Sequence, residues 1–506
     1  MRTLIRIFFI VLPGIHQDVQ AQENINKPNI IVIMSDDHAL KAISAYKSTL
    51  IHTPNIDRIA NEGVLFNNAF VTNSLCGPSR ATLLTGKYSH VNGFRDNPDK
   101  FDGSQQTFPK ILKANGYRTA IVGKWHLNSQ PTGFDYHNVL PGQGNYYNPG
   151  FIKMGKDTVY KGYVTNITTD LALNWMETNK KQPFLMMIHH KAPHRNQMPP
   201  LENLELFNDQ TFNYPPTFFD DYKNRQALKR QKISMHDDLD IDHDLKLNCE
   251  DCDRKFGKWA PKSYSREVDR LSPDEKKAWH KAYQKEYEEF KRIGSREELI
   301  KWQFQRYMED YLRVVKSLDD NVGKVLDYLD RNGLSKNTII IYTSDQGVFL
   351  GEHGLYDKRF MYEESFRTPM MIRYPDKIKI AGNLDQLVLN MDIAPTLLDF
   401  AGIKVPGDMQ GESMKNLLLG QKVKNWRDKV YYHYYGKSFG LTAHYGIRTS
   451  RYKLIQFYDP IKSWELYDLK NDPNEISNKY ADPEYVKIAE ALMKELIDLR
   501  SKYKEN

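Results

Sequence analysis

One segment gathers reactive side chains in a setting suited to negative charge: Cys76-Gly77-Pro78-Ser79-Arg80, continuing through Leu84-Thr85-Gly86. Proline is tolerated in the first turn of a helix, so Pro78 marks a helix start with Cys76 just before it. Unpaired backbone N–H groups and the positive end of the helix dipole favour an anionic group there. A bare thiol so placed could be a nucleophile of lowered pKa. Two polar pairs, Asp36-Asp37 and Asp345-Gln346, each follow a short apolar run. A lone acidic pair is commonly a solvated turn, but two of them at the ends of buried strands describe a shared cation site.

The elements that must position these residues are legible as apolar runs ending in ionisable residues. Residues 30–34 (Ile-Ile-Val-Ile-Met) end at Asp36-Asp37, and residues 119–122 end at Gly123-Lys124-Trp125-His126. Residues 184–188 end at His189-His190 with His194 beyond, and residues 338–342 end at Ser344-Asp345. Short β-branched runs alternating with helical patterns predict an α/β fold with a largely parallel sheet. Such sheets collect their sites outside the carboxyl ends of the strands. Helices are expected from Pro54, over about 297–332, from Ser272 to Lys291 and over about 483–501. A charged, aromatic-rich insertion spans about 196–295 and is a candidate for substrate contacts or for a merely packing elaboration. Beyond about 411 the pattern changes to short antiparallel strands, which predicts a smaller C-terminal α+β subdomain (411–506) after a main domain over 22–410.

The chain has 506 residues, 40% hydrophobic and 27% charged, with a net charge of only +7 (71 basic against 64 acidic). Nothing in that balance calls for nucleic acid, and it would not repel a polyanion. Arg2 and Arg6, the apolar run 7–12 and Val19-Gln20-Ala21 read as a secretory signal peptide cut before Gln22. The run is too short to span a bilayer, so no stable membrane insertion is expected once it is cut. Of the three cysteines, Cys249 and Cys252 lie close enough to close a local disulfide or to form half of a zinc site, which leaves Cys76 over.

The string Cys-x-Pro-Ser-Arg followed by Leu-Thr-Gly resembles the type I sulfatases, and the likeness runs in order over most of the chain. It implies an alkaline-phosphatase-like sandwich around a large, mostly parallel sheet, with a short antiparallel sheet near the C-terminus. It implies that Cys76 is oxidised to formylglycine (3-oxoalanine) by a formylglycine-generating maturase. It also implies one calcium ion held by Asp36, Asp37, Asp345, Gln346 and residue 76, with oxygen ligands of the kind calcium takes. The family more often carries Asn or His where Gln346 stands. By the same resemblance Arg80, Lys124 and Lys358 stabilise charge on the transferring group. His194 protonates the departing sugar oxygen, and His126 takes the proton that lets sulfate leave. His189, His190 and His353 are read as packing residues.

Asn73 to Arg80, Gly86 to Gly93 and Asp357 to Pro369 are similar to bacterial N-acetylglucosamine-6-sulfatases. The expected substrate is therefore a sulfated glycan: a glycosaminoglycan bearing 6-sulfated N-acetylglucosamine, or an algal polymer such as ulvan. Tyr434, Tyr435 and Tyr445, with His444 and Arg448, could line the sugar subsite. A phosphodiesterase or phosphonate hydrolase of the same superfamily and a non-catalytic sulfated-glycan-binding protein are the competing readings.

Overall fold

The computed structural model describes residues 27–247, 252, 257–436 and 440–505. The leader segment 1–21 and Cys249 lie outside them; Cys252 is disulfide-bonded. Four parallel strands form the centre of a ten-stranded sheet: β1 (Asn29–Ser35), β2 (Arg118–Lys124), β3 (Phe184–His189) and β4 (Thr338–Ser344). Their order is β4-β1-β3-β2, with Ile30 level with Leu185 and Ile339. Tyr136–Leu140 continues the parallel set beyond β2, and antiparallel strands Gly150–Lys153 and Lys156–Val159 finish that edge. On the other side Met370–Arg373 runs antiparallel to β4, followed by Val64–Phe66 and Gly382–Leu384.

Alternation along β1 assigns its side chains to two cores. Ile31 and Ile33 join Ala120, Val122, Met186, Ile188 and Ile340 on one face. Ile30, Val32 and Met34 join Ile121, Leu185, Met187 and Ile339 on the other. Both faces are covered, which is why the central strands read as unbroken apolar runs rather than as alternation. The first face packs against Val314, Leu318, Val322 and Val325 of a 36-residue helix, Arg296–Arg331. That helix opens with a capping box, in which Ser295 Oγ accepts from Glu298 N and Glu298 Oε2 accepts from Ser295 N. The second face packs against α1 (Cys76–Thr85) and the helix Ile393–Phe400.

The expected helix over 272–291 is two helices, Pro273–Ala282 and Gln284–Lys291. Tyr283 leaves the helical conformation between them and is buried, donating its hydroxyl to Asp310 (2.9 Å) beneath the Arg306 guanidinium. A four-stranded antiparallel sheet follows near the C-terminus: Lys429–Tyr434, Ala443–Thr449, Tyr452–Asp459 and Ser463–Asp468. It packs on the last helix, Val486–Lys502, and shares a core with Tyr307, Tyr311 and residues of the segment 348–366. The observed architecture is the mixed, mostly parallel sandwich with a small antiparallel sheet that the sequence predicts.

Candidate active site

The carboxyl ends of β1, β2, β3 and β4 converge on the first turn of α1. Asp36 and Asp37 follow β1, Lys124 is the last residue of β2, His194 lies five residues past β3, and Asp345 and Gln346 follow β4. Asp37 and His126 adopt left-handed backbone (φ 64° and 55°), the region non-glycine residues such as Asp, Asn and His visit most readily. α1 starts at Cys76 and fits tightly. A Cβ at Gly77 would lie 2.5 Å from the Phe94 ring and 3.1 Å from the His126 carbonyl. Asn97 Oδ1 accepts the Gly77 N–H (3.0 Å), satisfying one free donor of the helix start.

Cys76 Sγ donates to Asp36 Oδ1 (3.4 Å), Lys358 Nζ approaches it to 3.3 Å, and Gln346 Nε2 to 3.5 Å. One turn along α1, the Arg80 guanidinium donates twice to Asp345 Oδ2 (3.1 and 2.8 Å) and once to the Lys124 carbonyl (3.0 Å). Lys124 Nζ donates to Asp36 and to Gln143 Oε1. Lys358 Nζ donates to both oxygens of Asp37 (2.6 Å each). Three carboxylates thus face three fixed cations, all buried. His194 Nε2 stands 3.7 Å from Asp37 Oδ2, and its Nδ1 donates to the Arg195 carbonyl (2.6 Å).

Electrostatics correct one expectation. The Cys76 thiol is not activated: burial, then the neighbouring Asp36, push it up to about 12. Desolvation and the two acidic neighbours Asp36 and Asp345 outweigh the helix start and the opposing charges of Lys124 and Lys358. Burial and the same acidic company raise Asp345 to about 7. Burial would also raise Asp36, but Lys124, His194 and Arg80 hold it well below the usual carboxylate range. Burial and Lys124 depress His126 to about 2, which leaves that imidazole neutral; burial depresses His194 as well, with Asp36 opposing.

The ligand atoms of Asp36, Asp37, Cys76 and Asp345 lie within 4.8 Å of one another. Gln346 donates its Nε2 to Asp37 Oδ1 (2.5 Å), and its Oε1 is buried without a partner. A buried set of hard oxygens with one orphaned amide oxygen fits calcium. A cavity of about 440 Å³ borders His126, walled by Trp125, Leu127, Asn128, His137 and Leu140.

Two expected substrate contacts are engaged by protein partners in this structure. His444 is fully buried; its Nε2 accepts from Met361 N (3.1 Å), its Nδ1 donates to the Thr442 carbonyl (2.8 Å), and Phe360 and Tyr432 stack on its ring. Neither nitrogen is left for a sugar. Arg448 is spent on Glu363 (3.3 Å) and on the Phe70 ring (4.7 Å). Of the expected tyrosines, Tyr434 is buried, Tyr435 donates to Glu505 (2.7 Å) and Tyr445 to Gln456. His189 packs behind Arg80, and His353 is held by Asp220 (2.7 Å). Sequence reasoning missed Gln143, Asn97 and Arg195; only Gln143, set between Gly142 and Gly144, carried a local signal of a tight turn.

Comparison with known proteins gives the family. The sulfatase family model matches residues 28–403, and the model for the C-terminal part of N-sulphoglucosamine sulphohydrolase matches residues 351–502. An N-acetylglucosamine-6-O-sulfatase of Bacteroides thetaiotaomicron is 47% identical over 96% of this chain and 88% of its own length. A solved structure of a protein in complex with its substrate D-glucosamine-2-N,6-O-disulfate superposes with a TM-score of 0.90 at 47% identity, covering 95% of this chain and 99% of that one. A phosphonate monoester hydrolase of Agrobacterium radiobacter shares the fold at 21% identity (TM-score 0.69; 94% and 96% covered). With a family model over most of its length and a near-half-identical sulfatase beside it, this chain belongs to the sulfatase family and is a sulfuric ester hydrolase.

Proposed function

We propose that the chain is an exported sulfatase that removes the 6-O-sulfate of glucosamine units, N-acetylated or N-sulfated, in glycosaminoglycan-type chains. Its nucleophile is a formylglycine made from Cys76, and it works with one calcium ion. The observation that carries this reading is residue 76 at the start of a buried helix, ringed by Asp36, Asp37 and Asp345 and countered by Arg80, Lys124 and Lys358. A protonated thiol at that point is a poor nucleophile, so an oxidised side chain is the better agent. The identity to a glucosamine 6-O-sulfatase favours glucosamine over ulvan as the source of the ester.

Asp36, Asp37, Asp345, Gln346 and the side chain at 76 would hold the ion, which supplies positive charge to polarise sulfuryl oxygens and nucleophile alike. A hydrated aldehyde at residue 76 would supply one hydroxyl to attack sulfur and a second whose proton could be lost to free the sulfate. The remaining work falls to the protein. Arg80 orients Asp345 through two hydrogen bonds, and Lys124 does the same for Asp36. Lys358, between Asp37 and residue 76, faces the oxygens of the bound sulfate. With Nδ1–H committed to the Arg195 carbonyl, His194 acts as the imidazolium, the form that Asp36 favours, and delivers its second proton from Nε2 to the leaving sugar oxygen. His126, neutral beside Lys124, accepts the proton of the second hydroxyl.

The test is sulfate release by purified, matured enzyme from N-acetylglucosamine 6-sulfate, N-sulfoglucosamine 6-sulfate, galactosamine 6-sulfate, ulvan oligosaccharides and a phosphonate monoester. Turnover confined to the two glucosamine esters is expected. Preference for ulvan or for the phosphonate would overturn the assignment. Export is tested separately, by the absence of residues 1–21 from mature protein recovered outside the cytoplasm.

A further inference from the structure

His194 is steadied from outside the central sheet. Its Nδ1 donates to the carbonyl of Arg195, so the position of that peptide sets the direction of Nε2. The Arg195 side chain is gripped by the insertion. Its Nε donates to Asp244 Oδ1 (2.6 Å), its Nη2 to Asp244 Oδ2 (2.7 Å) and again to Asp240 Oδ2 (3.2 Å). This two-pronged geometry fixes the guanidinium plane in a way a single ion pair does not. The Tyr356 ring lies 5.2 Å from the guanidinium carbon.

Asp244 is itself held. It is almost fully buried, its Oδ2 accepts from Asp240 N (2.8 Å), and its own N–H donates to the Asp240 carbonyl (2.8 Å). On the other flank Tyr146 Oη donates to the His194 carbonyl (2.6 Å), as does Gln197 N (3.1 Å). The histidine peptide is therefore pinned from the sheet side by Tyr146 and from the insertion side by Arg195. Asp244 touches neither the cation site nor the cavity beside His126.

We infer that Asp244, acting through Arg195, is a positioning residue that aims His194 Nε2 at the leaving oxygen, and that this is a catalytic task of the insertion. The inference rests on the reading of His194 as the proton donor. A donor matters most when the leaving group is a poor one: a sugar alkoxide needs its proton, whereas a nitrophenolate departs without it. Loss of aim at His194 is thus distinguishable from general damage to the site.

The experiment compares kcat and KM of matured wild type, Asp244→Asn, His194→Ala and the double variant on N-acetylglucosamine 6-sulfate and on 4-nitrophenyl sulfate. Asp244→Asn should lower kcat on the sugar ester by about 10-fold or more, a fraction of what a general acid contributes. KM on the sugar ester and turnover of the aryl ester should stay within about 2-fold, because binding and charge stabilisation are untouched. In the His194→Ala background the Asp244 substitution should cost nothing further on the sugar ester. Should Asp244→Asn fail to fold, Arg195→Lys, which keeps the charge and loses the fork, is read in the same way.

An equal loss on both esters, a full further loss in the double variant, or no loss at all would overturn the positioning role. If His194→Ala itself shows no difference between the esters, the proton-donor reading falls and this inference falls with it. If His194→Ala discriminates and Asp244→Asn does not, only the inference fails.

Discussion

At residue 76 two requirements oppose each other: the side chain must be close to three carboxylates, and it must attack. A thiol meets only the first, because burial beside Asp36 keeps its proton on. Cys76→Ala should therefore lower kcat by about 10⁴-fold or more, with little change in melting temperature, since only a small buried side chain is lost. Retention of full turnover in that variant would remove residue 76 from the chemistry. Arg80 is the other test at this scale. Arg80→Lys keeps a cation but cannot reach Asp345 twice and the Lys124 carbonyl together. A fall in kcat of about 10²-fold or more is expected. Unfolding should ease by roughly 3 kcal/mol, the cost typical of breaking a buried pair, read by circular dichroism and steady-state kinetics.

At the scale of elements, the capping box at Ser295 opens the helix that covers one face of the sheet. Ser295→Ala should cost about 1 kcal/mol of stability in a denaturant titration and leave KM unchanged. A KM shift would mean that this helix end communicates with the site. The buried strands, Pro78 at the helix start and the acidic pairs could all be read from local pattern, because apolar runs and turn chemistry are short-range properties. The partners of His444 and Arg448 were not legible, for the opposite reason. Alternating aromatic and polar residues in the strand Ala443–Thr449 do not reveal which face is buried until the segment 360–363 packs against it. The partners of Gln143 and Arg195 were hidden in the same way: Lys124 and Asp244 are 19 and 49 residues away. Nor does an amphipathic run show that Tyr283 turns inward to meet Asp310 and splits one helix into two.

At the scale of the whole molecule, buried acids make stability depend on pH. Glu465 is fully buried in the small sheet, where it accepts from Tyr362 (2.6 Å) and Tyr467 (2.8 Å), and burial raises it from 4.5 to about 7. The unfolded chain releases that proton first. The contribution is therefore whole below pH 4.5 and drains away as the pH rises towards 7, by about 3 kcal/mol at most. Glu465→Gln should keep both hydrogen bonds and remove the drain, so its advantage over wild type grows from pH 5 to pH 8 in urea unfolding. A constant difference across that range would show that the carboxyl does not titrate there. Chelation is the second whole-molecule test. Removing divalent ions should abolish turnover and lower the melting temperature, because three mutually close carboxylates lose their counter-charge, and calcium should restore both.

The backbone of the helix that carries Cys76 is packed in along its length: residues 76 to 85 are all buried, and the position after the cysteine has no room even for a methyl group. A sulfate group need reach only the side chain at 76, whereas an enzyme that must draw the surrounding backbone into its own site finds that backbone locked once the chain has folded. If residue 76 is the proposed formylglycine, its conversion precedes folding and the fate of each molecule is decided once. A preparation that folded with its thiol intact should stay inert when the converting enzyme is added later, and should gain activity only after being unfolded, treated and refolded.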